Sequence, residues 1–408
     1  MKTVISLSGN NDFFLSALAT CELLLRWRRN SLTSSLILTV IFWLVVVLPV
    51  SANHSQQTPK LPIPFEQHVL SYTSLSTQKT LHQTSGSKVA KPINFRWYVD
   101  EWPIMGTEVS ARIHHDQAEE ARLLLKHVRE EMQRIDNTYS PYKPNSELSR
   151  VNRLASQAPQ KVSDEFYALI KKALWVYERS AGAFDITYAS VGHLYNYRKA
   201  EAPTDDEIKA LKPAIGSVGI TLNDRHQSVY FSDERIKIDL GGLAKGYAVD
   251  SAITLLAKSG IKHASVSAGG DTRLLGDYVG RPWMVGIKNP RLVGASSNNW
   301  EEQQVMKIPM INEAISTSGD YERFFIDDDT RERVHHIIDP GTGKSTNEMM
   351  SVSVIGPEGF NTDPLSTALF VLGFEKGLEL IEKIPGYEAI FIRRDGQVKY
   401  SSGLVNPE

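Results

Sequence analysis

"KIDLGGLAKGYAVD", Lys237–Asp250, runs from an apolar strand through a carboxylate, paired glycines, a lysine and a further glycine into a helical pattern. It lacks the Gly-x-Gly-x-x-Gly of dinucleotide folds and the lysine–serine ending of a phosphate loop. Gly241 and Gly242 nevertheless free the backbone to approach a ligand or a metal, and the helix that follows offers its positive end to a phosphate. Asp239, at the strand end, can accept hydrogen bonds from a ribose or a base. The plain alternative is a tight turn with a solvated lysine.

The pattern around this segment is one of helices and strands interspersed without strict alternation. Asp116 is placed to cap a helix whose stripe is Ala121, Leu124, Leu125, Val128, Met132 and Ile135. Ser163 caps a second, with Phe166, Leu169, Ile170, Ala173, Leu174 and Tyr177 on one face and Gly182 past its end. A third helix is expected from about Leu243 to Lys258, a fourth from Asp363-Pro364 and a fifth over Glu375 to Lys383. The runs "SVYFS", "IKIDL", "HASVSA", "WMVGI", "SVSVIG" and "EAIFIRR" read as strands, several able to pair as hairpins. An α+β domain with a mixed or antiparallel sheet and flanking helices fits better than a doubly wound parallel sheet. Residues 291–304 read as a polar surface excursion.

The amino terminus reads as separate from that fold. Arg26, Arg28 and Arg29 precede "SLILTVIFWLVVVLP", and Val50-Ser51-Ala52 supplies small residues at a cleavage site. Residues 1–52 are therefore expected to be a secretory signal, cut after Ala52, that sends the chain to the periplasm. An uncleaved anchor in the inner membrane is the alternative, but the apolar run of roughly 15 residues falls short of the ~20 a spanning helix needs. Residues 53–94, rich in Ser, Thr, Gln, Lys and Pro, read as a flexible linker, leaving 95–408 as the folded domain. Cys21 is the only cysteine, so a mature chain has no thiol nucleophile, iron–sulfur cluster or cysteine zinc site. A formal net charge of −2 argues against a nucleic-acid partner.

Two further segments bear on chemistry. In "TDPLST", Asp363 and Thr367 lie four residues apart at an expected helix start, so their oxygens project from one face. With a backbone carbonyl they make a partial oxygen cage that Mg²⁺ accepts, phosphate and water completing the octahedron. An ordinary N-terminal carboxylate favoured by the helix dipole is the alternative. "HHIIDPGTGKS" sets histidines before an apolar pair and a turn, and a histidine there can serve as a base near neutral pH.

Taken in order, "PIMGTEVS", "YSPYKPNSELSRVN", "GAFDIT", "IDLGGLAKGYAVD", "SAGGD", "AISTSGDYERFF", "HIIDPGTG" and "TDPLSTALFVLG" resemble the signature of ApbE, the FAD:protein FMN transferases. The resemblance runs from about Trp97 to the C-terminus. It implies an enzyme that uses Mg²⁺ and FAD to attach FMN, through a phosphoester, to a threonine of a target protein, releasing AMP. It also implies FAD contacts at Met105, at Tyr142 by stacking, at Ala183, Phe184 and Asp185, at Asp239, at Lys245 near the diphosphate, and at Ile338, with Ile337 close behind. It implies Mg²⁺ ligands at the Gly242 carbonyl, Asp363 and Thr367, and it makes His336 the candidate general base, against a merely packed histidine. Some members carry glutamate or another residue where Lys245 stands. No acceptor motif is visible in the chain, so its target is a partner, expected to be a secreted or membrane redox protein. Two rivals stay open: a Mg²⁺-dependent FAD pyrophosphatase that uses water, and a secreted flavin-binding protein without turnover.

Overall fold

Residues 95–292 and 303–404 are described by the computed structural model, and all of them lie in the compact unit Lys88–Glu408. The expected signal, the linker up to residue 94 and most of the polar excursion lie outside the described residues. Among the described residues, no helix is long and apolar enough to cross a membrane.

The centre of the fold is an eight-stranded sheet, with each strand antiparallel to the next. We number its strands β1 (Arg96–Ile104), β2 (Thr107–His115), β3 (Ala264–Ala268), β4 (Asp271–Leu275), β5 (Ala314–Gly319), β6 (Met349–Gly356), β7 (Glu388–Arg393) and β8 (Val398–Tyr400). They follow one another across the sheet in chain order. The α+β expectation therefore holds, and the sheet is antiparallel throughout.

Alternation along β7 shows how the layers form. Ala389 and Phe391 pack with the helical layer, whereas Ile390 and Ile392 pack on the other face with Trp283, Ile287 and Met310. Those last three come from a separate hairpin, Trp283–Lys288 with Gln304–Met310. A strand covered on both faces needs apolar residues at successive positions, which is why "EAIFIRR" reads as one continuous run.

The helical layer carries α1 (Ala118–Tyr139), α2 (Glu147–Leu154), α3 (Asp164–Arg179), α4 (Ala244–Lys258) and α5 (Gly359–Ile381). The expected stripe of α1 is buried in full. Its cap position is Gln117, which makes no side-chain bond; Asp116 instead lies 3.4 Å from the His115 ring. Ser163 caps α3 as expected, accepting from Phe166 N–H, and Gly182 closes the turn beyond it with φ 86°. On that helix Val176 and Tyr167 are buried in place of Leu174 and Tyr177, which are only half-buried.

Two further expectations are corrected. "IKIDL" is not in a sheet: Ile236, Ile238 and Leu240 are buried, but the backbone bonds go elsewhere. Asn152 both accepts from Ile238 N–H and donates to Ile238 C=O, Lys237 N–H donates to Ser190 Oγ, and Asp239 N–H donates to Ile186 C=O. An extended segment can thus satisfy its polar groups without a strand partner. The helix expected from Asp363-Pro364 begins earlier, at Gly359, because Asp250 of α4 takes its first free amides, Gly359 N–H at 2.9 Å and Phe360 N–H at 2.8 Å. Pro364 consequently lies inside α5. Gly373, at φ 75° and ψ −174°, interrupts the helix, which accounts for the separate helix expected from Glu375.

Candidate active site

The Lys237–Asp250 segment brings α4 and α5 together at a contact only glycine allows. A Cβ on Gly246 would stand 2.1 Å from Gly359 O and 2.7 Å from Asp363 Cβ. At this crossing Gly246 N–H donates to Asp363 Oδ2 at 2.9 Å and not back along its own helix. Asp363 is thereby fixed to the first turn of α4, with its carboxylate turned towards Lys245.

The Lys245 ammonium has three oxygen partners. Asp271 Oδ2 lies at 3.1 Å, Asp363 Oδ2 at 3.4 Å and the Gly241 carbonyl at 2.9 Å. Burial alone would lower the pKa of this ammonium, but the two carboxylates hold it above the ordinary lysine value. Asp271 is 2 % exposed, and burial together with the Asp363 charge raises its pKa, while Lys245 pulls it down. Asp271 was not singled out from the sequence. The signal was present in "SAGGD": Gly269 and Gly270, at φ 55° and 101°, form the two-residue turn that swings the next residue to the start of β4.

The same end of the sheet carries the other groups. Met105 and Gly106, with φ 54° and 72°, form the turn between β1 and β2, and Gly269 packs against Thr107. From β5, Ser318 Oγ lies 2.9 Å from Ser366 Oγ and 3.0 Å from Thr367 Oγ1. Gly242 faces these groups: a Cβ there would lie 3.1 Å from the Phe184 ring and 3.6 Å from Thr367 Oγ1. Gly242, Asp363 and Thr367 therefore do converge, and the polar groups they offer are oxygens, the donor type that hard cations prefer. Among the described residues there is no group of three or more His, Cys, Asp or Glu side chains able to hold a metal. A cation here would rely on one carboxylate, a hydroxyl, main-chain oxygen and whatever its substrate supplies.

Asp239 caps the glycine turn, its Oδ1 accepting from Gly241 N–H at 2.6 Å. Burial raises its pKa; that bond and the charges of Arg323 and Lys245 oppose the rise. Asp185 is placed differently from a ligand-facing group. Its carboxylate accepts from Thr187 N–H (2.8 Å), Thr187 Oγ1 (2.6 Å), Ser217 N–H (3.1 Å) and Ser217 Oγ (2.7 Å), so the side chain is committed to the fold. Neighbouring Phe184 is buried and Ala183 half-buried.

The far wall is built from residues 321–339. His336 N–H donates to Arg323 C=O at 3.1 Å, and His336 Nδ1 is buried with no hydrogen-bond partner among the described residues. Burial, then the charges of Arg323, His335 and Lys245, push its pKa down to about 3, well below the near-neutral value expected from sequence. Ile337 packs into the core beneath α5, which leaves Ile338 as the member of the pair outside that core, although it too is buried. Arg323 itself reaches the Gly106 carbonyl at 3.4 Å. Its charge also acts on Tyr188 and Tyr197, whose pKa values are raised chiefly by burial. Tyr142 bears on the same two tyrosines and is 83 % exposed. Arg323, Tyr188 and Tyr197 were not identified from the sequence, because nothing in their spacing distinguishes them from surface or core residues.

This arrangement matches known proteins along most of its length. The ApbE family model matches residues 105–391. A curated relative from Treponema pallidum, FAD:protein FMN transferase, is 32% identical over 325 residues, covering 74% of this chain and 86% of the relative. The protein of the same name from Vibrio cholerae is 30% identical, covering 75% and 90%. Among solved structures, the ApbE protein of Thermotoga maritima superposes with a TM-score of 0.67 at 30% identity, over 76% of this chain and 98% of that one. The flavin transferase ApbE from Vibrio cholerae does so with a TM-score of 0.64 at 28% identity, over 76% and 98%.

Proposed function

This chain belongs to the ApbE family of flavin transferases, and from that premise we propose that it moves FMN from FAD to a threonine of a partner protein, releasing AMP. The observation that carries this reading is the oxygen-rich, glycine-lined corner where Gly242, Asp363 and Thr367 converge beside the half-buried Lys245 ammonium. Such a corner suits a diphosphate: the backbone can approach closely, a fixed cation stands by, and the α4 N-terminus favours negative charge.

In the reaction, the acceptor threonine oxygen forms a bond to the phosphorus on the FMN side of FAD. The bond from that phosphorus to the bridging oxygen breaks, and the bridging oxygen leaves with AMP. The hydroxyl proton goes to the His336 ring, which is neutral in the free protein. A base with a pKa of about 3 is weak; burial lowers it most, and the Arg323, His335 and Lys245 charges lower it further. An arriving diphosphate offsets those charges and so strengthens the base. Orientation of FAD against the acceptor supplies much of the remaining acceleration. Asp363, Thr367 and the Gly242 carbonyl would hold Mg²⁺, which when bound offsets the charge of the diphosphate.

Tyr142, which is exposed, would stack on a planar ring of the substrate. The amino-terminal signal puts this chemistry in the periplasm, with a secreted or membrane redox protein as acceptor. Incubation with FAD, Mg²⁺ and a threonine-bearing acceptor, with AMP and protein-bound flavin both quantified, tests the reading. Equal amounts of AMP and covalent flavin support transfer. AMP with free FMN alone, regardless of acceptor, would assign hydrolysis instead, and neither product would leave only flavin binding.

A further inference from the structure

Asp271 is assigned no part in the reaction as drawn, yet it is the closest carboxylate to Lys245. It is 2 % exposed, its partner lies 3.1 Å away, and the Ser316 hydroxyl stabilises its charge. Lys245 is shared: Asp363 lies slightly farther off, at 3.4 Å, on the opposite helix. Two carboxylates divide a single ammonium, so with both ionised this cluster carries one negative charge in excess.

We propose that Asp271 is a positioning residue that draws the Lys245 ammonium off Asp363 and so keeps the Asp363 carboxylate available to a divalent cation. The inference rests on the reading of Asp363 as a metal ligand. Were Asp271 neutral, the only carboxylate left to Lys245 would be Asp363. The two would then close into a neutral pair, and a cation would have to compete with an ammonium fixed in place. The glycine crossing makes this competition unavoidable, since Gly246 N–H anchors Asp363 within reach of the adjacent Lys245. Ser316 holds Asp271 from the other side and is itself tied to α5, its Oγ 2.7 Å from Thr362 Oγ1.

The charge count predicts an order of cation affinity among variants. Asp271→Asn keeps the size and an acceptor oxygen but removes the excess charge, and should weaken binding by ~10–100-fold, the range found when groups supporting a metal ligand are changed. Lys245→Met removes the competitor and should bind more tightly than the unaltered protein. The double variant Asp271→Asn/Lys245→Met restores the original net charge and should return to near the original affinity.

The experiment is titration of the full chain with Mn²⁺ in the presence of FAD, followed by electron paramagnetic resonance and by competition with Mg²⁺. Circular dichroism melts confirm that each variant is folded. A larger gain from Lys245→Met in the Asp271→Asn background than in the unaltered protein supports positioning, and an equal gain in both backgrounds overturns it. Weak binding in both, or weaker binding in Lys245→Met than in the unaltered protein, overturns the inference. Unchanged affinity in Asp271→Asn, with binding lost in Asp363→Ala, overturns it while leaving the metal reading intact. Absence of any Asp363-dependent Mn²⁺ binding in the unaltered protein overturns the metal reading itself, and this inference with it.

Discussion

Replacing Gly246 with alanine should damage both the stability and the chemistry of this protein. The added methyl would sit 2.1 Å from Gly359 O and 2.7 Å from Asp363 Cβ, where relaxed contacts lie near ~3.5 Å. The Gly359 carbonyl cannot swing aside, because Gly359 and Phe360 amides are both held by the Asp250 carboxylate. The helices must therefore separate by ~1 Å, at an overpacking cost of ~1–3 kcal/mol. Separation also breaks the Gly246 N–H bond to the charged Asp363, a further loss of ~1.5–3 kcal/mol. Alanine's better helix propensity returns ~1 kcal/mol, so the net destabilisation is about 1.5–5 kcal/mol. The carboxylate displaced by this shift is the proposed metal ligand, and a misplacement of ~1 Å can cost ~10²-fold in rate. Urea unfolding gives the first quantity and single-turnover FMN transfer at saturating FAD and Mg²⁺ gives the second. A Gly246→Ala protein within ~1 kcal/mol of the original stability and with unaltered transfer would refute the close crossing as the device that sets Asp363.

Other outcomes follow from individual residues. His335, fully buried, uses Nε2 to donate to Thr346 C=O and Nδ1 to accept from Ile337 N–H, and burial lowers its pKa from 6.5 to about 4. The unfolded chain therefore binds this proton first, so about 3 kcal/mol of stability present above pH 6.5 is lost as pH falls through 4. Urea midpoints of His335→Gln across that window should show a shallower pH slope, and an identical slope would dismiss the assignment. Tyr142→Ala should leave the melting temperature unchanged, since the side chain is 83 % exposed, while weakening FAD binding measured by flavin fluorescence. His336→Asn should retain FAD affinity and lose covalent product by ~10²–10⁴-fold; equal loss of both would mean a structural histidine. Mass spectrometry of the protein from its host should find a chain beginning near Asn53, and a cytoplasmic chain starting at Met1 would overturn export.

How far the sequence alone reaches differs from element to element. The stripe of α1 and the Ser163 cap of α3 were legible because they are local: a 3.6-residue period and a hydroxyl three positions before an amide need no distant partner. The covered strands β6 and β7 were legible as apolar runs. "IKIDL" misled because its pattern reports burial, and burial does not reveal that Asn152 and Ser190 supply the hydrogen bonds. The start of α5 was misplaced because its cap comes from Asp250, on another helix. In the site, Asp363, Thr367 and Gly242 were found through ordered motifs, and their convergence is what the fold contributes. Asp271 and Arg323 stood inside quoted motifs without a visible role, since only the sheet end brings them to Lys245 and Gly106.

The central claim is that the corner formed by Gly242, Asp363 and Thr367 beside Lys245 transfers FMN and does more than bind FAD. Intact-mass measurement of an acceptor protein, after incubation with FAD, Mg²⁺ and either the unaltered chain or Asp363→Ala, tests it most directly. The account predicts an FMN adduct on an acceptor threonine with the unaltered chain and almost none with Asp363→Ala, although the variant still binds FAD. An adduct of equal yield from both proteins would contradict it.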